Sequence, residues 1–244
     1  MKLSIVIPVY NEIESIEQII KKVSAANFEK EILIVDDGSS DGTREFLKGL
    51  PKGSNLKVFY HEINQGKTAA IRTAFKHISG DIVIIQDADL EYNPSDYKGL
   101  IRPIIYNKAD VVYGSRFLYI NKYLFIWHWF LNKFLGRHYE IRYLSHFLGI
   151  QFLNILAFIL YGLKVTDIAT GYKVFKAEAI KDINLRTDRF EFCYEITAKI
   201  AKKKLRLKET RIDYHPRSNL KGKKLSWKDG VWASWALIRF RFTD

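Results

Sequence analysis

In the first half of the chain, short apolar runs alternate with segments of helical spacing, and each apolar run ends in a polar cluster. Residues 3–9, 31–35, 56–61, 81–86 and 109–113 read as strands. Between them, Ile13, Ile16, Ile19, Ile20 and Val23 recur at helical spacing, with Asn11 and Glu14 suited to capping. Residues 43–50, 66–78 and 96–105 also read as helical. Strand followed by helix, repeated, predicts an α/β fold with a mostly parallel sheet flanked by helices. Open sheets of that kind bind ligands at the carboxyl ends of their strands. Asn11-Glu12, Asp36-Asp37, residues 61–64, Asp87-Ala88-Asp89 and Gly114-Ser115-Arg116 each follow a strand. Five polar clusters are therefore expected to converge on one edge.

The alternation breaks at 117–163, a long aromatic and apolar stretch sprinkled with Lys122, Lys133, Arg137 and Arg142. Its spacing predicts helices over 120–136 and 141–162. A strand at Val174-Phe175, a helix over 193–203, a strand over 206–212 and a helix from Trp227 complete the chain. With 244 residues and neither an internal repeat nor a Pro/Ser-rich linker, residues 1–244 are expected to form a single catalytic domain, with 117–163 inserted in it. The formal net charge of +12 calls for an anionic partner, whether nucleic acid, a phosphorylated substrate or anionic lipid. Cys193 is the sole cysteine, so an intrachain disulfide is excluded and a reducing compartment is expected. The first residues lack the apolar core and cleavage site of a signal peptide, and the fold is expected to begin at residue 3.

Asp87-Ala88-Asp89-Leu90-Glu91 is the central chemical signal. A divalent cation and a diphosphate need hard oxygen ligands. Two carboxylates one residue apart, just after the apolar strand Ile82-Val83-Ile84-Ile85, can both reach the strand's end, and Glu91 adds a third on the same alternation. The ordinary alternative is a solvated acidic turn, which the four other converging loops disfavour. Pro8-Val9-Tyr10-Asn11-Glu12 offers an aromatic face for a base and a carboxylate for its polar edge. Residues 35–43 offer carboxylates for base or ribose groups, although Asp, Ser and Gly are also common turn formers.

With these motifs, the sequence resembles the family 2 glycosyltransferases, and within them the polyprenol-phosphate (dolichol-phosphate mannosyltransferase-like) branch. The resemblance rests on residues 8–12, 35–43, 87–89 and 114–116, on Asp-Ile-Ala-Thr-Gly-Tyr-Lys-Val-Phe at 167–175, on 195–199, and on Gly-Lys-Lys-Leu-Ser-Trp-Lys-Asp-Gly at 222–230. It implies a GT-A fold and inverting transfer of one sugar, mannose ahead of glucose, from a GDP- or UDP-linked donor to a polyprenyl phosphate, with Mg or Mn as cofactor. It further implies that Pro8, Tyr10, Glu12, Val35, Asp37, Asp87, Ala88 and Asp89 hold the nucleotide and that Asp89 and Glu91 hold the metal. Arg116, Lys176, Arg217 and Lys224 would line the phosphates of donor and acceptor, with Asp87, Asp89, Arg116 and Arg217 at the reacting centre. Three positions depart from the branch's pattern: Glu91, where Gln is common; Ala169, where an acid is common; and Cys193-Tyr194, where Glu-Pro is common.

The implied chemistry is physically coherent. A phosphate monoester has a second pKa of about 6, so the acceptor oxygen needs no strong general base. The difficulty is bringing two anions together, which a metal with Arg and Lys offsets. His215-Pro216-Arg217 and 221–224 suit that role and, with Gly222, a closing lid, or else form a solvated basic loop. Residues 143–163 have about the 20-residue length of a bilayer span, but Ser145, His146, Gln151 and Asn154 interrupt them. A span would also separate Arg116 from Lys176 and Arg217. Two interfacial helices dipping into one leaflet are expected instead, peripheral or monotopic on the cytoplasmic face, with 227–242 at the same surface. Two other readings stay open: transfer to a sugar hydroxyl, with Glu195 or Asp167 as base, and a basic nucleic-acid-binding module, which the acids at the strand ends disfavour.

Overall fold

The computed structural model describes residues 1–51, 53, 55–118, 142–188, 191–216 and 227–243. Seven strands form one sheet: β1 (Leu3–Val9), β2 (Lys30–Asp36), β3 (Leu56–Tyr60), β4 (Ile82–Ile85), β5 (Val111–Ser115), β6 (Lys173–Lys176) and β7 (Leu207–Arg211). Their order is β3-β2-β1-β4-β6-β5-β7. The pairs β1–β2, β2–β3, β1–β4 and β5–β7 are parallel, whereas β6 runs antiparallel to both β4 and β5. The expected mostly parallel α/β sheet is therefore present, with one reversed strand near its middle.

Apolar residues alternate across the pleat, as a strand period of two requires. Leu3, Ile5 and Ile7 face a core shared with Ile16, Ile19 and Val23 of α1 (Ile16–Ala25), Leu47 of α2 (Thr43–Lys48) and Leu100 and Ile104 of α4 (Tyr97–Ile105). Val6, Val35, Val83 and Ile85 face a second core with Ala70, Ile71 and Ala74 of α3 (Lys67–Phe75). Helices therefore cover both faces. The short α6 (Ala177–Ile180) follows β6, and Phe192, Ile196 and Ile200 of α7 (Phe192–Lys202) complete the second core. The cap of α1 differs from expectation. Ser15 is the N-cap residue, and Glu12 contributes its main-chain carbonyl, which accepts from the Ile16 amide at 2.9 Å.

Helix α5 (Arg142–Tyr161) matches the second of the two predicted helices in 117–163; the first, 120–136, lies outside the described residues. Leu153 and Ala157 of α5 pack with Ala233 and Leu237 of α8 (Trp227–Phe242), and Ala198 of α7 meets Ala236 and Phe240. Asn154 does more than interrupt an apolar run. Its Nδ2 donates to Thr166 O at 2.7 Å and its Oδ1 accepts from Ile168 N at 3.0 Å, tying α5 to the turn before β6. No described helix is long and apolar enough to cross a membrane.

Candidate active site

The carboxyl ends of β2, β1 and β4 are neighbours, so the first, second and fourth polar clusters meet at one edge. The first two loops are laced together: Asn11 N donates to Ser39 Oγ at 2.9 Å, Ser40 N donates to Asn11 Oδ1 at 2.9 Å, and Glu12 N donates to Thr43 Oγ1 at 2.9 Å. Tyr10 is left 37% exposed. Glu12 is buried, and its Oε2 accepts from Ser15 Oγ at 2.9 Å. Pro8 and Val35 are partners in the β1–β2 register and are buried, so they offer a ligand backbone rather than side chain.

Asp37 stands at the predicted place, and its carboxylate is engaged by the loop that follows β3. Its Oδ1 accepts from Gln65 N at 3.0 Å and lies 2.7 Å from His61 Nδ1, and its Oδ2 accepts from Gly66 N at 2.7 Å. The carboxylate thus holds the β3–α3 loop. Asp36 and Asp41 are likewise structural, bound by Arg44 Nε at 2.7 Å and by Thr43 N at 3.0 Å.

Beyond β4, Ala88 is buried between Asp87 and Asp89. The strand-like alternation does not continue to Glu91, because Leu90 has φ +63°, a left-handed conformation that turns the chain. That turn lets Glu91 N donate to Asp89 Oδ1 at 3.1 Å. Tyr214 OH donates to Glu91 Oε2 at 2.7 Å. Burial first, then the Asp87 and Glu91 charges, push the Asp89 carboxyl up to about 7. Lys67, the first residue of α3, is ion-paired with Asp87 Oδ1. Burial opposes the Lys67 charge, but Asp87 and Asp89 more than offset this and raise its pKa. Gly171 passes so close to this group that a Cβ there would lie 2.3 Å from Asp87 Oδ2.

Across β6 stands a cationic wall. Arg116, at the end of β5, donates from Nε and Nη2 to the two oxygens of buried Asp167 at 2.7 and 2.8 Å. Its guanidinium lies over the Tyr214 ring at 5.0 Å. The Asp167 pair and neighbouring tyrosines hold it charged against the pull of burial. Lys173, fully buried, donates to Ile168 O at 3.0 Å and Thr170 O at 2.8 Å, shaping the turn that carries Asp167 and Gly171.

Lys176 does not join this wall. Because β6 runs antiparallel to β4, Lys176 pairs with Ile82 at the opposite end of the sheet, about 16 Å along the strand from Asp87 at the usual rise per residue. There its Nζ donates to Asn107 Oδ1 at 2.9 Å and lies 3.5 Å from Asp110 Oδ1. Arg217 and Lys224 lie outside the described residues. The chain just before Arg217 is anchored at the site: Tyr214 pairs with Tyr92, and His215 N donates to Glu91 O at 2.9 Å.

An acidic triplet after a central strand, and an arginine clamped by the turn whose glycine lies against that triplet, agree with what the chain is similar to. The family model for glycosyl transferase family 2 matches residues 4–183. The chain belongs to that family. It is 31% identical over 226 residues to UDP-N-acetylglucosamine–dolichyl-phosphate N-acetylglucosaminyltransferase of Methanococcus voltae, which covers 85% of this chain and 83% of the relative. It is 36% identical over 120 residues to dolichol-phosphate mannosyltransferase of Pyrococcus furiosus, covering 48% of this chain and 34% of that one. Glucosyl-3-phosphoglycerate synthase from Mycobacterium tuberculosis, solved with Mn2+, UDP and phosphoglyceric acid, superposes with a TM-score of 0.69 at 16% identity, over 98% of this chain and 76% of that one. This likeness shows the GT-A fold. The chain is a glycosyltransferase.

In this family 2 transferase, the residues present suit a divalent ion shared with a substrate. Among the described residues, no group of three or more His, Cys, Asp or Glu is arranged to hold an ion alone. Magnesium-type sites characteristically use one or two carboxylates and take their remaining oxygens from substrate phosphates and water. Asp89 with Glu91, whose charges oppose one another, are the groups that would hold it. The sequence reading missed Lys67, Lys173 and Gly171 as parts of the site. Gly171 and Lys173 both stood within the 167–175 motif, which could have drawn attention to them; Lys67 stood only at the start of a helical stretch.

Proposed function

We propose that this transferase moves one sugar, with inversion, from a GDP- or UDP-linked donor to a polyprenyl phosphate at a membrane surface, using Mg or Mn. Mannose leads as the sugar, with glucose next; the relative named for N-acetylglucosamine adds a third to test. The observation that carries this reading is that one short turn touches both groups, with Asp167 clamping Arg116 and Gly171 lying against Asp87, so that an anionic acceptor held by Arg116 would lie near the donor edge. The two acids that a hydroxyl acceptor would need as base are otherwise engaged. Asp167 binds Arg116 with both oxygens, and Glu195 accepts from Arg186 N at 2.6 Å and Thr187 N at 2.9 Å. A phosphate acceptor needs no such base, since it is largely ionised near neutral pH.

In this reading Tyr10 stacks on the base, Glu12 meets the nucleoside's polar groups, and Asp87 and Asp89 face the diphosphate and sugar. A divalent ion held by Asp89 and Glu91 would stabilise the leaving diphosphate. Arg116, with Arg217 and Lys224, would hold the acceptor phosphate in line with the sugar. Residues 1–244 act as one domain with 117–163 as its membrane-contact element. Support for that comes from α5 and α8: Leu148, Phe152, Ile155 and Ile159 recur at spacings of four, three and four on α5 and are exposed, as are Trp232, Trp235 and Phe242 on α8 beside Arg239 and Arg241. Such an apolar ridge edged by arginine suits a peripheral or monotopic protein on the anionic cytoplasmic leaflet.

The test is transfer of labelled sugar from GDP-mannose, UDP-glucose and UDP-N-acetylglucosamine to polyprenyl phosphate in detergent, with Mg, Mn or EDTA. Label in the lipid phosphate, dependent on metal, is the expected result. Label only in a glycan hydroxyl acceptor overturns the phosphate reading.

A further inference from the structure

Lys67 is a charged group at the donor edge that neither the motifs nor the proposed reaction uses. It is tightly built in. Upstream, Gln65 N and Gly66 N are held by Asp37. Downstream, Thr68 N and Ala69 N donate to Asp188 O at 3.0 and 3.3 Å, so the start of α3 is capped by a loop and not by solvent. One turn on, Arg72 donates to Leu185 O and Thr187 O, both at 3.1 Å, and to Asp188 Oδ1 at 2.8 Å. The loop itself is nailed by Glu195, whose carboxylate takes the amides of Arg186 and Thr187 and the Thr187 hydroxyl at 2.7 Å. Four attachments thus deliver one ammonium group to Asp87.

The consequence is electrostatic. Asp87 Oδ1 is paired with Lys67, and Asp87 Oδ2 is pressed toward Gly171. A bare divalent ion approaching Asp89 meets a fixed positive charge where the second carboxylate's negative charge would otherwise attract it. A nucleoside diphosphate brings the missing negative charge with it.

We propose that Lys67 is a positioning residue that makes metal entry conditional on the nucleotide: it holds Asp87 in place and cancels its charge until the diphosphate supplies a replacement. This rests on the metal-dependent reading above and adds an order of binding to it. Glu195, remote from the reacting atoms, acts through the same route by fixing the loop that caps α3.

The experiment measures free Mn2+ by electron paramagnetic resonance during titration of the full chain, with and without UDP or GDP, for wild type, Lys67→Met and Lys67→Arg. Wild type is expected to bind Mn2+ weakly alone and tightly with nucleotide. Lys67→Met is expected to bind Mn2+ without nucleotide about tenfold or more tighter than wild type, since a full charge a few ångströms from the ion has been removed. Lys67→Arg keeps the charge and is expected to behave as wild type. Unchanged or weaker nucleotide-free binding in Lys67→Met overturns the inference while leaving the function standing. Wild type binding Mn2+ equally well with and without nucleotide also overturns it, and that arm holds even if Lys67→Met does not fold. If no chain binds Mn2+ with nucleotide and transfer proceeds in EDTA, the metal reading itself falls, and this inference with it.

Discussion

A buried carboxylate and a half-buried one sit at opposite ends of the same sheet and meet opposite treatment. Glu31, at the amino end of β2, accepts from Ser4 Oγ at 2.6 Å and from Ser79 N and Oγ at 2.6 and 2.9 Å, with Lys57 at 3.4 Å and Lys2 at 3.7 Å. Burial works against its charge, but those hydrogen bonds and Lys2 outweigh it and hold the carboxyl down at about 2. Asp89, at the carboxyl end of β4, is pushed up to about 7 by burial and by Asp87 and Glu91. The fold satisfies charge where it needs only stability. Where a ligand must arrive, it assembles like charges that an incoming cation would relieve.

The comparison breaks most visibly under substitution of Asp89. Asp89→Asn is expected to lower transfer roughly 100- to 1,000-fold, as removing a group that stabilises developing charge does, with thermal stability kept or raised. Steady-state transfer assays and a melting curve on the same preparation check both halves. Next comes Arg116→Lys, which keeps the charge but loses the two-pronged grip on Asp167; an activity loss of about tenfold or more, expressed in KM for the lipid phosphate, is expected. At the other end of the sheet the pattern reverses. Glu31→Ala is expected to destabilise by about 2–4 kcal/mol in urea unfolding, by orphaning Ser4 and Ser79, while kcat of the folded fraction stays near wild type. Gly171→Ala lies between the two, costing about 1–3 kcal/mol of stability and displacing Asp87, so both melting temperature and transfer should fall.

The smallest effect is in the pH dependence of the ligand-free protein, where the two carboxyls pull in opposite directions. Glu31 has a folded-state pKa below its ordinary 4.5, so its contribution is present above that value and is lost as pH falls toward about 2. Asp89 is raised above its ordinary 3.8, so the folded state binds the extra proton, and stability declines as pH rises from about 4 to about 7. A melting series across that range should show the decline in wild type and a flatter profile in Asp89→Asn. Equal slopes in the two would refute the opposed environments.

Much of this arrangement was legible in the residues. The strands were placed to within two residues or so, most clearly β1, β2 and β4, because a strand buried on both faces shows itself as a nearly unbroken apolar run rich in β-branched residues. The polar clusters after β1, β2, β4 and β5 named the working edge for the same reason. Roles inside that edge were less legible. Asp37 and Asp87 read alike as acids after strands, yet one carries a loop and the other faces the donor edge with a lysine on it. Lys173 and Lys176 are three residues apart, yet one is buried beside Asp167 and the other lies at the far end of the sheet.

The sequence by itself determined the α/β class, the edge where chemistry gathers and the acidic triplet at its centre, since strand periodicity and turn composition are local properties. The tertiary structure alone decided that β6 runs backward between β4 and β5, that Arg116 is clamped by Asp167, and that Lys67 rests on Asp87. Those facts depend on which strands become neighbours and in which direction they run. The two ion pairs join residues 20 and 51 positions apart and the β4–β6 pairing reaches 94, and no local spacing encodes which partner a buried charge will meet.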